Sequence, residues 1–285
     1  MFEAFYTFEF LRNAAITGLL IGLVAPILGV FIVVRRLSLI ADALSHITLT
    51  GIAASLLLEK KVLGTDLWNP IYMGMVFSVL GALAIERLRK VYKHYEELAI
   101  PIILSGGVGL GVIFISLAEG FNTDLFSYLF GSVAAVSRSS MWTALVVTAI
   151  VLLLVIVFYK ELFLLSFDEE HAAVLRIGGR WIHILFILMV AVVIAASMQI
   201  VGILLVSALM TLPVAAAMRL SKSFIQTIGL SVLFGEVSVV AGLVAGYHLS
   251  IPPGGTIVMI AVMILIGAVL YKRSKKLFRV HKQAA

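Results

Sequence analysis

The chain has no cysteine among its 285 residues. Disulfides, thiolate zinc sites and cysteine nucleophiles are therefore excluded. Charge is scarce too: Asp, Glu, Lys and Arg make up 13% of the sequence, roughly half of what a soluble domain carries. No G-x-x-x-x-G-K-[ST] sequence occurs, so the chain has no phosphate loop with which to hydrolyse ATP. No H-E-x-x-H occurs either, which removes the commonest reading as an intramembrane metalloprotease. The N-terminal stretch MFEAFYTFEFLRNAAITG lacks a basic region followed by a small-residue cleavage site. The first apolar segment is accordingly expected to stay in the mature protein. Internal repeats are not evident.

Apolar residues are abundant. They account for 62% of the chain, and the mean hydropathy is +1.16. These values predict an all-α polytopic membrane protein, read as a single transmembrane domain over residues 1–285. A membrane-spanning helix needs about 20 apolar residues. Nine segments qualify or nearly do: 12–34, 38–58, 70–86, 100–118, 141–158, 181–199, 201–218, 225–246 and 255–271. The pair 181–199 and 201–218 forms one long run, broken by Gln199, Gly202 and Pro213. A bent or re-entrant helix there would lower the count to eight.

Charge predicts orientation. With the N-terminus outside and the C-terminus cytoplasmic, seventeen Lys and Arg fall on inner loops and tail, against four outside (Arg12, Lys60, Lys61, Arg138). Such a bias satisfies the positive-inside rule, and it explains the pI of 9.6 without nucleic acid as a partner. The tail 272–285 reads as a basic segment on anionic membrane lipid. Residues 119–139 are aromatic and amphipathic, which predicts a helix lying in the outer interface. Residues 159–180 form the longest inner loop. A short helix could start there at Asp168-Glu169-Glu170 and stop at Gly178-Gly179, either as a docking element or as an ordinary solvated loop.

The stretch Arg35–Leu58, RRLSLIADALSHITLTGIAASLLL, carries Asp42 and His46 inside a span. Four residues apart, they project from one helix face. An ionisable side chain at the bilayer centre costs roughly 2.5 kcal/mol or more, and such residues usually face a bundle interior or a pathway. Carboxylate oxygen and imidazole nitrogen suit zinc or manganese. A hydrogen-bonded pair joining two helices, or a proton relay, would use the same residues. One chain supplies two ligands where zinc wants four; a two-fold dimer would supply two Asp and two His. Binding there would depend on pH, because it requires neutral His46 and ionised Asp42. Ser38 and Ser45, beside them, read as caps.

Other candidates are weaker. Glu236 in LFGEVSVVAG lies within a span and reads either as bonded to a neighbouring helix or as a proton site or secondary metal ligand. His248 in GYHLSIPPGG sits at the expected outer mouth, either solvated or collecting metal. Gln199 could line the same cavity. His183 follows Trp181 and reads as an interfacial belt residue; His94, His171 and His281 fall in inner segments. SGGVGLG at 105–111 lacks the Gly-Lys-Ser/Thr ending of a phosphate loop, and close helix packing through small residues explains it better. Gly18-x-x-x-Gly22 and Gly242-x-x-x-Gly246 read the same way.

RRLSLIADALSHITLTGIA closely resembles the R-x-[ML]-S-L-[ILM]-x-D-A-[LI]-[SA]-H block of the permeases of zinc/manganese ABC importers, the ABC-3 family. DLFSYLFGSVAAVS, FDEEHAAVLRIG, VGILLVSALMTLPVAAAMRL and IPPGGTIVMI resemble further segments of that family in the same order. The resemblance implies seven to nine spans, a homodimer, and a metal-binding lipoprotein that delivers the ion from outside. It further implies cytoplasmic ATP-binding subunits that dock on a coupling segment. That segment maps to 168–178, with Asp168, Glu169, Glu170, His171, Ala172, Ala173, Val174, Leu175 and Arg176 as its contact residues. Asp42 and His46 correspond to the pore ligands, in a bacterial plasma-membrane permease with no resident cofactor and with Zn²⁺ or Mn²⁺ as cargo. The sequence around the motif looks closer to zinc permeases of Gram-positive bacteria. The competing expectations are a proton- or sodium-coupled secondary carrier, an importer of an organic metal chelate and an intramembrane enzyme.

Overall fold

Helix α1 (Glu9–Val34) ends in a turn that launches the motif-bearing helix α2 (Ser38–Leu58). A computed structural model describes residues 8–63, 69–118, 123–132, 135–167 and 179–284. Eleven α-helices lie within them. After α2 come α3 (Pro70–Val91), α4 (Ala99–Leu117), α5 (Thr123–Phe130), α6 (Arg138–Val157) and α7 (Tyr159–Phe167). The chain closes with α8 (Gly179–Val201), α9 (Ile203–Leu220), α10 (Phe224–Leu249) and α11 (Pro253–Ala284). Polar residues mark several starts. Asn69 Oδ1 accepts from the Ile71 amide at 3.1 Å with Pro70 as first helical residue, and Ser137 Oγ accepts from the Ser140 amide at 3.1 Å. Each such cap contributes about 1 kcal/mol.

Eight described helices are long and apolar enough to cross a membrane by length and composition. The ninth, α9, is shorter, and its 18 residues span about 27 Å at 1.5 Å per residue. The nine expected segments thus reappear as nine helices. The uncertain pair is two helices divided at Gly202, with Pro213 inside α9. Gly202 has φ +79, and a Cβ there would stand 2.5 Å from the amide nitrogen of Gly131. Gly131 itself has φ +76. The α8–α9 corner therefore seats backbone to backbone on the end of α5, where no side chain fits.

The chain alternates between two ends of the bundle. One end gathers Arg35, Glu86, Arg89, Glu96 and His183. An aromatic cluster there joins Phe31, Tyr159, Phe163 and Phe167 to Phe224. Arg219, Lys222, Lys272 and Lys275 line a cavity in the α9–α10 and α11 region of this basic end. The far end holds α5, the Gly202 corner and the bond from Asn69 Nδ2 to Ser140 Oγ (3.1 Å). Two expectations change. Residues 159–167, read as inner loop, form helix α7, because Tyr159, Phe163 and Phe167 repeat every four residues and cover Phe224. The basic tail does not leave α11 at Tyr271, since the helix runs on to Ala284. The coupling segment, 168–178, lies outside the described residues.

Helices α1, α2 and α8 form the core; 78% of the apolar window of α8 is buried, against 28% for α4 and α11. Lipid is as apolar as leucine, so helices associate by close packing rather than by the hydrophobic effect. Glycine seams permit it. Gly18 and Gly22 of α1 face Val239, Leu243 and Glu236 of α10, while Gly29 admits the Met210 carbonyl of α9. Between α1 and α2 the chain turns tightly: the Leu37 amide donates to the Ile32 carbonyl at 2.9 Å and the Arg36 amide to Val33 at 3.1 Å. This is a Schellman turn whose left-handed position is occupied by Arg36, φ +56, not by glycine. That conformation costs an L-residue roughly 1–2 kcal/mol.

Candidate functional site

Helix α2 packs on α3, α4, α8 and α9. Ile47, Thr48, Thr50, Gly51 and Ile52 are buried. Asp42 and His46 are only half-buried. Measured along the helix from Ser38, they stand about 6 and 12 Å from its start, at 1.5 Å per residue, so the pair sits in the basic half of the span.

The buried hydroxyls nearby are engaged. Ser45 Oγ donates to the Ala41 carbonyl at 2.7 Å and Thr48 Oγ1 to Leu44 at 2.6 Å. Thr50 Oγ1 reaches both the His46 carbonyl at 3.0 Å and the Gly107 carbonyl of α4 at 2.7 Å. Ser45 is thus a back-bonded helix residue rather than a cap, and Ser38 makes no capping bond either. Against this background Asp42 and His46 form no side-chain hydrogen bond to any described residue. Above them the same stripe of α2 continues as Leu49, Ala53 and Leu56. It is covered there by Ile115 and Phe114 of α4 and Leu125 of α5. The polar pair therefore lies below an apolar closure built partly from the amphipathic helix expected at the far end.

The remaining candidates do not join this pair. Glu236 lies halfway along α10, against Gly22 of α1, where a Cβ would stand 3.3 Å from its Cδ. Its Oε2 is buried without a hydrogen-bond partner. His248 is exposed at the far end of α10, edge-on to the Tyr247 ring at 5.6 Å. Gln199 is buried beside the α8–α9 corner, and the Ser132 amide donates to its backbone carbonyl at 2.9 Å. Among the described residues no group of three or more His, Asp or Glu side chains could hold a metal ion. Among the described residues, α2 therefore carries a carboxylate and an imidazole on one face, and no complete cage surrounds them.

The glycines of SGGVGLG serve packing. A Cβ on Gly107 would stand 2.9 Å from Ile47 Cγ1, and one on Gly111 3.0 Å from Thr50 Oγ1, whereas Gly106 and Gly109 meet nothing within 4 Å. Sequence reasoning missed His183. Trp181 is 77% exposed, as a belt residue is, but His183 is 6% exposed. Its Nε2 lies 3.0 Å from both Glu86 Oε2 and Arg89 Nη1, and its Nδ1 meets Arg35 Nη2. The available signal was Glu86-x-x-Arg89 at the end of a span, a charged pair in need of a buried partner.

Known proteins share this architecture and sequence. The signature of the ABC 3 transport family matches residues 7–272. The manganese transport system membrane protein MntC of Listeria innocua is 34% identical over 269 residues, covering 94% of this chain and 93% of that protein. The manganese import system permease protein ScaB of Streptococcus gordonii is 34% identical over 265 residues, covering 93% and 92%. A solved structure of PsaBC from Streptococcus pneumoniae in complex with Fab superposes with a TM-score of 0.81, at 34% identity, over 94% of this chain and 93% of that one. On both sequence and fold, this chain belongs to the ABC 3 transport family, as one of its membrane-spanning permeases.

Proposed function

We propose that this chain is the permease of an ATP-driven importer of divalent transition-metal ions, with Asp42 and His46 of two copies receiving the ion between the subunits. The observation that carries the reading is a contrast within α2. Its buried hydroxyls are satisfied, while a carboxylate and an imidazole one turn apart have no side-chain hydrogen bond to any described residue. Ionisable groups in an apolar span without an internal partner suit a passing cation. Oxygen and nitrogen donors suit manganese and zinc. The relatives named for manganese transport favour manganese over zinc, the reverse of the order suggested by the sequence around the motif. Two ligands per chain make a weak, open site, which suits an ion that must be released.

Free energy comes from cytoplasmic ATP-binding subunits engaging 168–178, and an extracellular metal-binding lipoprotein delivers the ion. The Lys and Arg bias puts the basic end in the cytoplasm of a bacterial cell, with the N-terminus outside. The deciding experiment is uptake into proteoliposomes holding the permease, its ATP-binding subunits and the lipoprotein, with manganese and zinc in competition. ATP-dependent uptake that zinc inhibits only weakly is expected. Uptake without the ATP-binding subunits, driven by a proton gradient, would instead favour a secondary carrier. Uptake of an intact organic chelate would move the substrate class.

A further inference from the structure

We propose that His183 is a positioning residue for translocation: from α8 its Nδ1 anchors Arg35, at the turn that starts α2, and so sets the position of the Asp42–His46 pair. The inference rests on the function proposed above. It concerns a buried cluster that the metal site itself does not use.

The chemistry of the partners assigns the imidazole. Arginine only donates, so Nδ1 of His183 accepts from Arg35. The ring proton then sits on Nε2 and is donated to Glu86 Oε2 at 3.0 Å. Arg89 Nη1 lies 3.0 Å from the same Nε2 but cannot bond to an N–H. Its productive contacts are carboxylates, Glu96 Oε2 at 2.7 Å and Glu86 Oε2 at 3.7 Å. The guanidinium of Arg35 is also held over the Phe186 ring, 5.3 Å from its centroid, one turn along α8 from His183.

The location gives the cluster its role. Arg35 is the last residue before Arg36, the non-glycine residue with φ +56. A strained residue persists only where its surroundings hold it; the two Schellman bonds close this turn, and the Arg35 anchor ties it to α8. Asp42 lies less than two turns into the helix that this turn launches. His183 belongs to α8, the first described helix after segment 168–178. A displacement of α8 therefore reaches Arg35 through His183 and Phe186, beside the direct packing of α8 on α2. Helix α3 and Glu96, in the short turn before α4, are drawn in through Glu86 and Arg89.

The test separates the two faces of the imidazole. In His183→Asn the amide oxygen occupies the Nδ1 position and still accepts from Arg35. In His183→Gln the amide nitrogen reaches the Nε2 position and serves Glu86 alone. In proteoliposomes with the ATP-binding subunits, His183→Asn is expected to keep the wild-type ratio of manganese transported to ATP hydrolysed. His183→Gln is expected to hydrolyse ATP while that ratio falls at least tenfold, and Arg35→Met to do the same. The double variant Arg35→Met/His183→Gln is expected to lose no more than either alone, as residues acting through one bond are not additive. Manganese affinity of the permease in detergent is expected to stay unchanged in all of them. Equal coupling in the Asn and Gln variants, or additive losses in the double variant, would overturn the proposal. Should a variant fold poorly, as melting in detergent would show, the Asn–Gln contrast in the distance between spin labels at Leu39 and Leu83 is read instead, and no contrast in that distance also overturns it. Absence of ATP-dependent uptake in the wild type would reject the proposed function, which is a different result.

Discussion

The two halves of helix α2 are built on opposite rules. From Ile47 to Ala54 the helix is mostly sealed. Ile47 fills the space left by Gly81 and Gly107, Gly51 lies against the Met73 carbonyl, and Thr50 bonds across to α4. From Ser38 to His46 it keeps two ionisable groups half-exposed and without partners. The sealed half fixes where the helix is. The open half leaves chemistry available for something the chain itself does not contain. A substitution at Asp42 or His46 should therefore abolish transport and spare stability, and one in the sealed half should do the reverse.

The largest effect is expected at the open half. Asp42→Ala or His46→Ala is expected to lower ATP-dependent metal uptake by at least a hundredfold while melting in detergent stays within a few degrees of wild type. Neither side chain has a bond whose loss could destabilise the fold. Uptake at wild-type level in either variant would end the ligand reading, and a large drop in melting temperature would show that the pair holds the bundle together.

Much of this contrast was legible in the sequence. The shared face of Asp42 and His46, the small residues that follow them and a helix within the aromatic segment, at Thr123–Phe130, are all legible there, because each depends on local periodicity. What escaped depends on contacts between distant segments. His183 finds Arg35 across 148 residues and Glu86 across 97, and its neighbour Trp181 gave the opposite signal. The α8–α9 break was narrowed to three residues but not to Gly202, because only the Gly131 backbone pressed against it distinguishes that position. Helix α7 reads as loop in the sequence because its apolar residues cover Phe224, which lies in another helix.

At the sealed half the balance reverses. A Cβ on Gly51 would stand 2.7 Å from the Met73 carbonyl oxygen and 2.7 Å from Phe77 Cβ. Gly51→Val is expected to cost about 3 kcal/mol, the upper part of the usual overpacking range, read as a lower melting temperature and lower yield. Any protein that does insert is expected to retain metal binding at Asp42 and His46. A stable Gly51→Val protein would mean that α2 and α3 separate more easily than their packing implies.

A smaller effect sharpens the same contrast. Thr50→Val keeps the shape and removes the bond to the Gly107 carbonyl, while that carbonyl is left with its helical partner. Interhelical hydrogen bonds in membrane proteins contribute on average about 0.6 kcal/mol, and a loss of that size is expected here, without change in uptake. A loss several times larger would make Thr50 a keystone of the α2–α4 contact rather than one bond along it.

The smallest effect belongs to α4, where glycines that look equivalent in SGGVGLG differ in what they face. Gly111 meets Thr50 Oγ1 at 3.0 Å from a built Cβ, and Gly109 meets nothing. Glycine in a helix interior costs up to about 1 kcal/mol relative to alanine. Gly109→Ala is therefore expected to leave melting unchanged or raise it slightly, whereas Gly111→Ala, pressed against the hydroxyl that bonds to Gly107, lowers it. If both substitutions destabilise alike, a surface that is free in one chain is covered in the assembled permease. The exposed side of α4, rather than the open half of α2 alone, would then have to be counted among the faces waiting for a partner.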